Sequence, residues 1–300
     1  YNAIFYAYNH PDHLRVKFLY FPWEETAEIV TLRFISFLLY TKYKVRYSPM
    51  ELLSSNVSNP LPDEIVKLIE GDYIQSMVTF FNNCVEFYEN INTSVGVCKV
   101  IRDFAEKNGE HIYSDQTFIN ENGQEVRKID SYIPNDKDLY VHILIDNYNL
   151  MAPTKNEKTM LDAIGGLSKR LVGFMNRYKY IIVALQQQVD SETSGVEAIK
   201  HNNILASKAG LKDCKSTAND CTILWGITNP GALQAINTWK GYDLDKFRRK
   251  YLRVLDLQLY RFGEGGILCP LFFDGAVNYY TPLPPATQNN ITNPNLQSFY

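Results

Sequence analysis

The chain has 300 residues, 45% of them hydrophobic and 21% charged, with a net charge of −3. This length allows one large domain or two small ones, and the composition excludes collagen, a coiled coil and wholesale disorder. No run of 18 apolar residues occurs, which excludes a membrane span, and the slightly negative charge means that any nucleic-acid role must rest on a local basic patch.

The five cysteines are scattered and include no C-x-x-C pair. This argues against a zinc site or a disulfide framework and favours a reducing compartment. The chain opens YNAIFYAYNHPDH, which has no features of a signal peptide. We interpret this opening as the end of an aromatic-rich helix and expect the chain to begin partway through a domain.

Apolar runs alternate with helical patterns along the chain, and Gly, Pro and Asn punctuate them. The pattern predicts strands at 16–21, 84–88, 139–145, 180–185, 221–228 and 251–261, helices at 26–40, 95–107 and about 158–178, and helical segments between 48 and 83. This alternation of near-continuous apolar strands with helices predicts an α/β fold with a mostly parallel sheet covered by helices on both faces.

Two segments depart from this alternation. Residues 110–138 are polar and contain Asn122-Gly123 between two β-like runs, which predicts a small inserted β-hairpin. A second hairpin is predicted at 266–280. We expect one domain over residues 1–283, followed by a Pro/Asn/Gln-rich tail at 284–300 that is extended or disordered.

Polar side chains follow three of the predicted strands. They are Glu24 and Glu25 after the first strand, Asp146 after the central one, and Gln186 to Gln188 after the next. Ligands of open α/β sheets bind outside the carboxyl ends of the strands. A carboxylate there suits Mg²⁺ bound to a nucleotide triphosphate, and a second carboxylate can orient or deprotonate an attacking water.

Each of these side chains also has a structural interpretation. Asp146 can cap the next segment, and Glu24-Glu25 can complement a helix dipole. The glutamines can be a solvated strand end. The order of carboxylate, aspartate and glutamine on successive strand ends favours the nucleotide site.

Five local motifs occur in an order that resembles the RecA-like ATPase domain of DnaB-type replicative helicases. The stretches are FPWEE at 21–25, IDNYNLM at 145–151, IVALQQQV at 182–189, LKDCKSTAND at 211–220 and LYRFGEGG at 259–266. The resemblance covers roughly residues 1 to 282, and it implies a RecA-like fold, ATP and Mg²⁺ as cofactors and ATP-dependent DNA unwinding as the activity.

The resemblance also assigns roles. It implies that Glu24 activates the attacking water, with Glu25 as the fallback, and that Asp146 holds Mg²⁺ through its water shell. Gln187 would sense the γ-phosphate. Arg261 would act as an arginine finger on the nucleotide of the neighbouring subunit. Such an arrangement requires a closed ring, and the family is hexameric.

Single-stranded DNA is the expected partner, with primase or a helicase loader as further partners, in the cytoplasm of a bacterial or phage-infected cell. In the family, loops facing the pore of the ring contact DNA. The basic residues at the corresponding positions are Lys155, Lys158, Lys200 and Lys208. A few lysines repeated around a ring can bind the phosphates of one strand, although loop lysines also serve simply to solvate a surface.

Two features depart from the family pattern. The phosphate-binding sequence G-x-x-x-x-G-K-[ST] does not occur in these 300 residues, and we expect that loop to lie upstream of Tyr1. Leu259 occupies the position of the family's second finger residue, a lysine, for which Lys250 or Arg253 could compensate. Both departures leave two alternatives open, a non-catalytic RecA-fold ring or DNA-binding structural protein and another RecA-type ATPase such as a recombinase.

Overall fold

The computed structural model describes residues 1–53, 60–119, 123–189, 204–233, 236–245, 249–284 and 286. Lys200 and nearly all of the predicted 284–300 tail lie outside the described residues, as does most of the polar loop at 190–210. The chain divides into two compact units. Unit 1 comprises Tyr1–Glu28 and Gln75–Gln186, and unit 2 comprises Ile29–Ile74 and Gln187–Tyr300. The single domain expected over 1–283 stays a prediction.

Unit 1 contains strands and helices in alternation. Its elements are α1 (Asn2–Asn9), β1 (Arg15–Pro22), most of α5 (Asp72–Cys84), β2 (Val85–Phe87), α6 (Ser94–Lys107), β3 (Gly109–Ile119), β4 (Glu125–Pro134), β5 (Leu139–Asp146), α7 (Met160–Tyr178) and β6 (Ile181–Ala184). The first residues of α2 (Ala27–Tyr43) also belong to this unit. The structure confirms the alternation expected from the sequence.

A four-stranded sheet forms the centre of unit 1, with the order β2-β1-β5-β6 and every pair parallel. The central strands contribute completely buried side chains, among them Leu19, Phe21, Ile143 and Ile145. Helices flank this sheet, so the parallel α/β sheet predicted from the sequence is confirmed. Because the strands are parallel, their carboxyl ends meet at one edge.

The inserted hairpin predicted at 110–138 is present as the antiparallel pair β3–β4. Gly123, shortly before β4, has a φ of +74°, which a residue with a side chain rarely adopts. At the base of the hairpin, Tyr132 packs edge-on against Tyr178 of α7, with ring centroids 4.9 Å apart, and its hydroxyl donates to the carbonyl oxygen of Ala105 in α6. The aromatic base therefore attaches the hairpin to two helices.

Unit 2 contains the larger part of α2 and a second set of strands. Its other elements are α3 (Pro49–Leu52), α4 (Asp63–Glu70), α8 (Thr217–Asp220), β7 (Ile223–Thr228), β8 (Thr238–Trp239), β9 (Tyr242–Asp243), β10 (Leu252–Tyr260), β11 (Ile267–Asp274) and β12 (Tyr279–Pro282). The hairpin predicted at 266–280 is confirmed as the antiparallel pair β11–β12.

The four-stranded sheet of unit 2 has the order β12-β11-β10-β7 and is antiparallel throughout. The expectation of one mostly parallel sheet was therefore wrong for these strands. Apolar runs show that a segment is a strand but do not encode its direction. Short connections such as the one between Tyr260 and Ile267 leave room only for antiparallel pairing.

Trp239 is at the centre of the hydrophobic core of unit 2 and is 1% exposed. It packs in one cluster with residues of β10 and β11, including Leu252, Val254 and Phe272. The two-residue strands β8 and β9 that hold Trp239 were missed, because two residues are too few to show a periodicity. Among the described residues, no helix is long and apolar enough to cross a membrane.

Candidate functional site

The carboxyl ends of β1 and β5 lie side by side in unit 1. Pro22 is the register partner of Asp146, and the backbone N–H of Trp23 donates to the carbonyl oxygen of Asp146 at 2.8 Å. The indole of Trp23 also donates to the carbonyl oxygen of Ile91 at 2.8 Å. These bonds fix the segment that leaves β1, and Glu24 comes immediately after it.

Asp146 is half-buried at the end of β5. The phenol of Tyr20, on β1, donates a hydrogen bond to its Oδ2 at 3.2 Å. Burial, and then the charge and hydrogen bond of Asp146, raise the pKa of Tyr20 above its ordinary value, so the phenol stays a neutral donor. The sequence analysis identified Asp146, but no sequence pattern pointed to Tyr20.

Asn147 joins the two predicted carboxylates into one site. Its side chain is 3% exposed, and its Nδ2 donates to Oε1 of Glu24. Its Oδ1 accepts the backbone N–H of Asn149 at 2.9 Å, which closes an Asx turn. Glu24 is thus held next to the residue that follows Asp146, and Asn147 is the contact that the sequence analysis missed.

Glu25 and Glu89 add negative charge at the same edge of the sheet. Glu25 is partly exposed, and its charge contributes to the raised pKa of Tyr20 after those of larger effect. Glu89, which follows β2, accepts the backbone N–H of Ala27 at the start of α2. A carboxylate at that position complements the helix dipole.

The donor set at this edge is suited to Mg²⁺. Magnesium prefers oxygen ligands and commonly uses one or two carboxylates together with water and substrate phosphates. Asp146 supplies one such carboxylate. No group of three or more His, Cys, Asp or Glu side chains able to hold a metal occurs within the described ranges, so a magnesium ion here would depend on phosphate and water for most of its ligands.

The end of β6 is bonded to the turn after β5. The backbone N–H of Tyr148 donates to the carbonyl oxygen of Leu185 at 2.9 Å, and Leu185 donates to Ile145 at 2.9 Å. Gln187 begins unit 2 and has an exposed side chain, and its carbonyl oxygen accepts the N–H of Lys212 at 2.9 Å. Its role as a phosphate sensor stays a prediction.

The neighbouring Gln188 has a structural role. Its amide nitrogen donates to the carbonyl oxygen of Ser207 at 3.0 Å, and its Oε1 accepts the backbone N–H of the same residue at 3.2 Å. This pair of bonds joins the segment after β6 to the segment before α8.

Arg261 lies exposed just after β10 in unit 2. Its Nε donates to the carbonyl oxygen of Cys221 at 2.9 Å, and its Nη2 donates to that of Asn219. The guanidinium is therefore bonded to the backbone before β7. Leu259 is half-buried within β10, where the pairing with β7 shifts register.

Lys250 and Arg253, the candidates to replace the missing finger lysine, both lie against aromatic rings of unit 2. The Lys250 ammonium is 5.0 Å from the ring centroid of Tyr251. The Arg253 guanidinium is 5.1 Å from that of Phe273, and burial lowers the pKa of Arg253.

Of the four lysines predicted to contact DNA, Lys155, Lys158 and Lys208 are exposed. The first two lie in unit 1, on the segment between Ala152 and α7. Glu157, between them, anchors this segment, because it accepts the hydroxyl of Ser94 and, at 2.8 Å, the backbone N–H of Thr154. Burial opposes ionisation of Glu157, but these bonds outweigh it and lower its pKa.

The fold is similar to that of replicative helicase ATPase domains. One solved structure, of an isolated ATPase domain, matches with a TM-score of 0.61 at 12% identity, covering 94% of this chain and 79% of that chain. A DnaB-like replicative helicase, solved in a study of its interactions with primase, matches with a TM-score of 0.58 at 11% identity. That match covers 90% of this chain and 52% of that one.

No protein-family model and no curated protein matches the sequence. At 11–12% identity the likeness concerns the fold. The chain therefore has the RecA-like α/β fold of DnaB-type helicase ATPase domains, as the sequence motifs implied.

Proposed function

We propose that this chain is the motor domain of a DnaB-type replicative helicase, which couples ATP hydrolysis to movement along single-stranded DNA. The observation that carries the proposal is the placement of Glu24 and Asp146 at the carboxyl ends of two adjacent parallel strands. Both are joined through Asn147. The likeness of the fold to helicase ATPase domains supports the same assignment.

Each residue has a defined part in the proposed reaction. Glu24 accepts a proton from the water whose oxygen attacks the γ-phosphorus, while the bond to the leaving β-phosphate oxygen breaks. Asp146, oriented by Tyr20, holds Mg²⁺ through its water shell. When bound, Mg²⁺ neutralises charge that develops on the phosphates. Gln187 contacts the γ-phosphate, and Arg261 reaches it from the neighbouring subunit of a hexameric ring.

The strand would bind to exposed lysines on the loops of each subunit, Lys155 and Lys158 in unit 1 and Lys208 in unit 2. Repetition around a ring concentrates these charges where the strand passes, so the net charge of −3 is compatible with DNA binding. Primase or a loader would be further partners, and the cytoplasm of a bacterial or phage-infected cell would be the setting.

The test is ATP hydrolysis by the full-length gene product with and without single-stranded DNA. Glu24→Gln should reduce turnover by about 100-fold or more, because it removes the proton acceptor. Glu25→Gln decides which of the two adjacent carboxylates acts. Glu28→Gln, in the first turn of α2, is the matched control. Wild-type turnover in both Glu24→Gln and Glu25→Gln would refute the assignment.

One observation favours a second candidate, a non-catalytic RecA-fold ring that binds DNA. The phosphate-binding sequence is absent from these 300 residues, and Leu259 replaces a finger lysine. A full-length protein that forms rings and binds single-stranded DNA but neither binds nor hydrolyses ATP would establish this alternative.

A further inference from the structure

Asn147 lies between two parts of unit 1 that the proposed function uses separately. On one side, its Nδ2 donates to the Glu24 carboxylate. On the other, it is the N-cap of the 3₁₀ turn Tyr148–Leu150, after which the chain continues to the segment with Lys155 and Lys158. A displacement of that segment would therefore reach Asn147 within a few residues.

The path from Asn147 to the lysines is a continuous series of hydrogen bonds. The carbonyl oxygen of Asn147 accepts the N–H of Leu150 at 3.2 Å, and the carbonyl oxygen of Tyr148 accepts that of Met151 at 3.1 Å. The N–H of Ala152 then donates to Asn92 at 2.8 Å. Glu157 closes the loop by bonding Thr154 and Ser94.

The hydrogen bond to Asn147 restrains the carboxylate that the proposed reaction needs. An oxygen that accepts an amide N–H is held in one orientation and has one less lone pair for a water proton. Asn147 itself cannot turn freely, because its side chain is buried and its Oδ1 is bonded to the N–H of Asn149. Release of Glu24 thus requires the whole turn after β5 to move.

We propose that Asn147 is a coupling residue that restrains Glu24 while no DNA strand is bound and releases it when a strand occupies the Lys155–Lys158 segment. The inference rests on the proposed function. Coupling between two sites is reciprocal for binding free energies. If strand binding breaks the Asn147–Glu24 bond, loss of that bond must strengthen strand binding by the same factor.

Asn147→Asp is the sharpest variant. An aspartate keeps an oxygen that accepts the N–H of Asn149, but it replaces the donor to Glu24 with a repelling carboxylate. Without nucleotide, this variant should bind a fluorescent oligothymidylate about tenfold more tightly than wild type, since a hydrogen bond to a charged group is lost from the resting state. DNA-independent hydrolysis should rise by a similar factor, so the stimulation by DNA should shrink.

Variants of Glu24 separate the inference from the proposed function. Glu24→Ala should also tighten strand binding, and its effect should not add to that of Asn147→Asp, because both remove one bond. Glu24→Gln keeps the carbonyl oxygen that accepts from Asn147, so it should leave strand affinity at the wild-type value while abolishing hydrolysis. Asn108→Ala, which removes another side-chain amide donor of unit 1, is the control for altered stability.

The possible outcomes are distinct. Tighter strand binding in Asn147→Asp and Glu24→Ala, without additivity, supports the coupling. Unchanged or weaker strand binding in Asn147→Asp overturns it, as does a fall in hydrolysis by the same factor with and without DNA. Normal hydrolysis in Glu24→Gln would instead refute the catalytic assignment, and the strand-affinity measurement would still decide the coupling.

Discussion

The phenol of Tyr20 on β1 donates a hydrogen bond to Oδ2 of Asp146 on the adjacent strand β5, with 3.2 Å between the oxygens. Tyr20 pairs in register with Leu144, two residues before Asp146, so the two side chains lie on the same face of the sheet. The bond fixes one oxygen of Asp146 and leaves the other available to a ligand. Tyr20 is therefore a positioning residue for the proposed magnesium site.

Tyr20→Phe should weaken the binding of Mg²⁺ by about tenfold, because partners that orient a ligand typically contribute that much to metal affinity. The measurement is the Mg²⁺ dependence of the binding of a fluorescent ATP analogue to the full-length protein. Tyr140→Phe is the matched control, since Tyr140 lies on β5 with its side chain 52% exposed. Equal Mg²⁺ dependence in both variants would show that the hydroxyl of Tyr20 does not orient Asp146.

Within unit 2, Arg46 and Asp274 form a two-bond ion pair, with nitrogen–oxygen distances of 2.7 and 2.9 Å. The Asp274 side chain is 9% exposed, and that of Arg46 is 50% exposed. Arg46→Met should lower the free energy of unfolding by about 2 kcal/mol, because it leaves a buried carboxylate without its cation. The half-exposed arginine keeps the loss below that of a fully buried pair.

Urea denaturation provides the measurement, and Arg15 provides the comparison. Arg15 forms an ion pair with Asp136 at 2.7 Å, but both partners are substantially exposed. Arg15→Met should therefore cost at most about 1 kcal/mol. If the two variants lost equal stability, burial of Asp274 would not be the cause.

Cys84 at the end of α5 should resist thiol reagents in the folded protein. Burial, slightly offset by Lys17, raises the pKa of its thiol to about 11, and the thiolate is the reactive form. Between pH 7 and pH 10 the thiolate fraction, and with it the rate of alkylation, should rise about tenfold per pH unit. The fraction of an ordinary exposed thiol levels off above about pH 8.5.

Iodoacetamide labelling followed by mass spectrometry of the peptides measures this rate. Cys269, which is partly exposed in β11, serves as the internal reference. Denaturant should bring the rate at Cys84 up to that at Cys269. Labelling of both cysteines at one rate in the folded protein would contradict the burial of Cys84.

The sequence predicted the strands that carry the site better than it predicted their contacts. The apolar runs before Pro22 and Asp146 are long, and nothing interrupts them, so β1 and β5 were predicted to within one residue. The contact between Glu24 and Asn147 joins residues 123 positions apart. It depends on the pairing of Pro22 with Asp146, which no local pattern encodes.

The second sheet shows the same limit in another form. The segments that form β7, β10 and β11 were predicted as strands, but hydrophobic pattern does not specify strand direction or partner. Trp239 shows why a core residue can escape prediction. It is almost completely buried, yet the turn that holds it consists of two-residue strands around a glycine with a φ of +90°.

Mixed rings test whether Arg261 acts on the nucleotide of its neighbour. Glu24→Gln and Arg261→Ala subunits should each form inactive rings, because each variant lacks one half of every site. When both are co-expressed with different tags and purified together, some sites combine Glu24 of one subunit with Arg261 of the next. With random mixing, about a quarter of the sites are intact, so hydrolysis should return to about that fraction of the wild-type rate.

The matched control mixes Glu24→Gln with Asp146→Asn. These two residues lie in the same site of one subunit, so no arrangement around the ring restores a complete site, and the mixture should stay inactive. If the first mixture also stays inactive while its rings assemble, Arg261 does not act between subunits. Its bonds to the carbonyl oxygens of Asn219 and Cys221 would then account for it as a structural contact that anchors the backbone before β7.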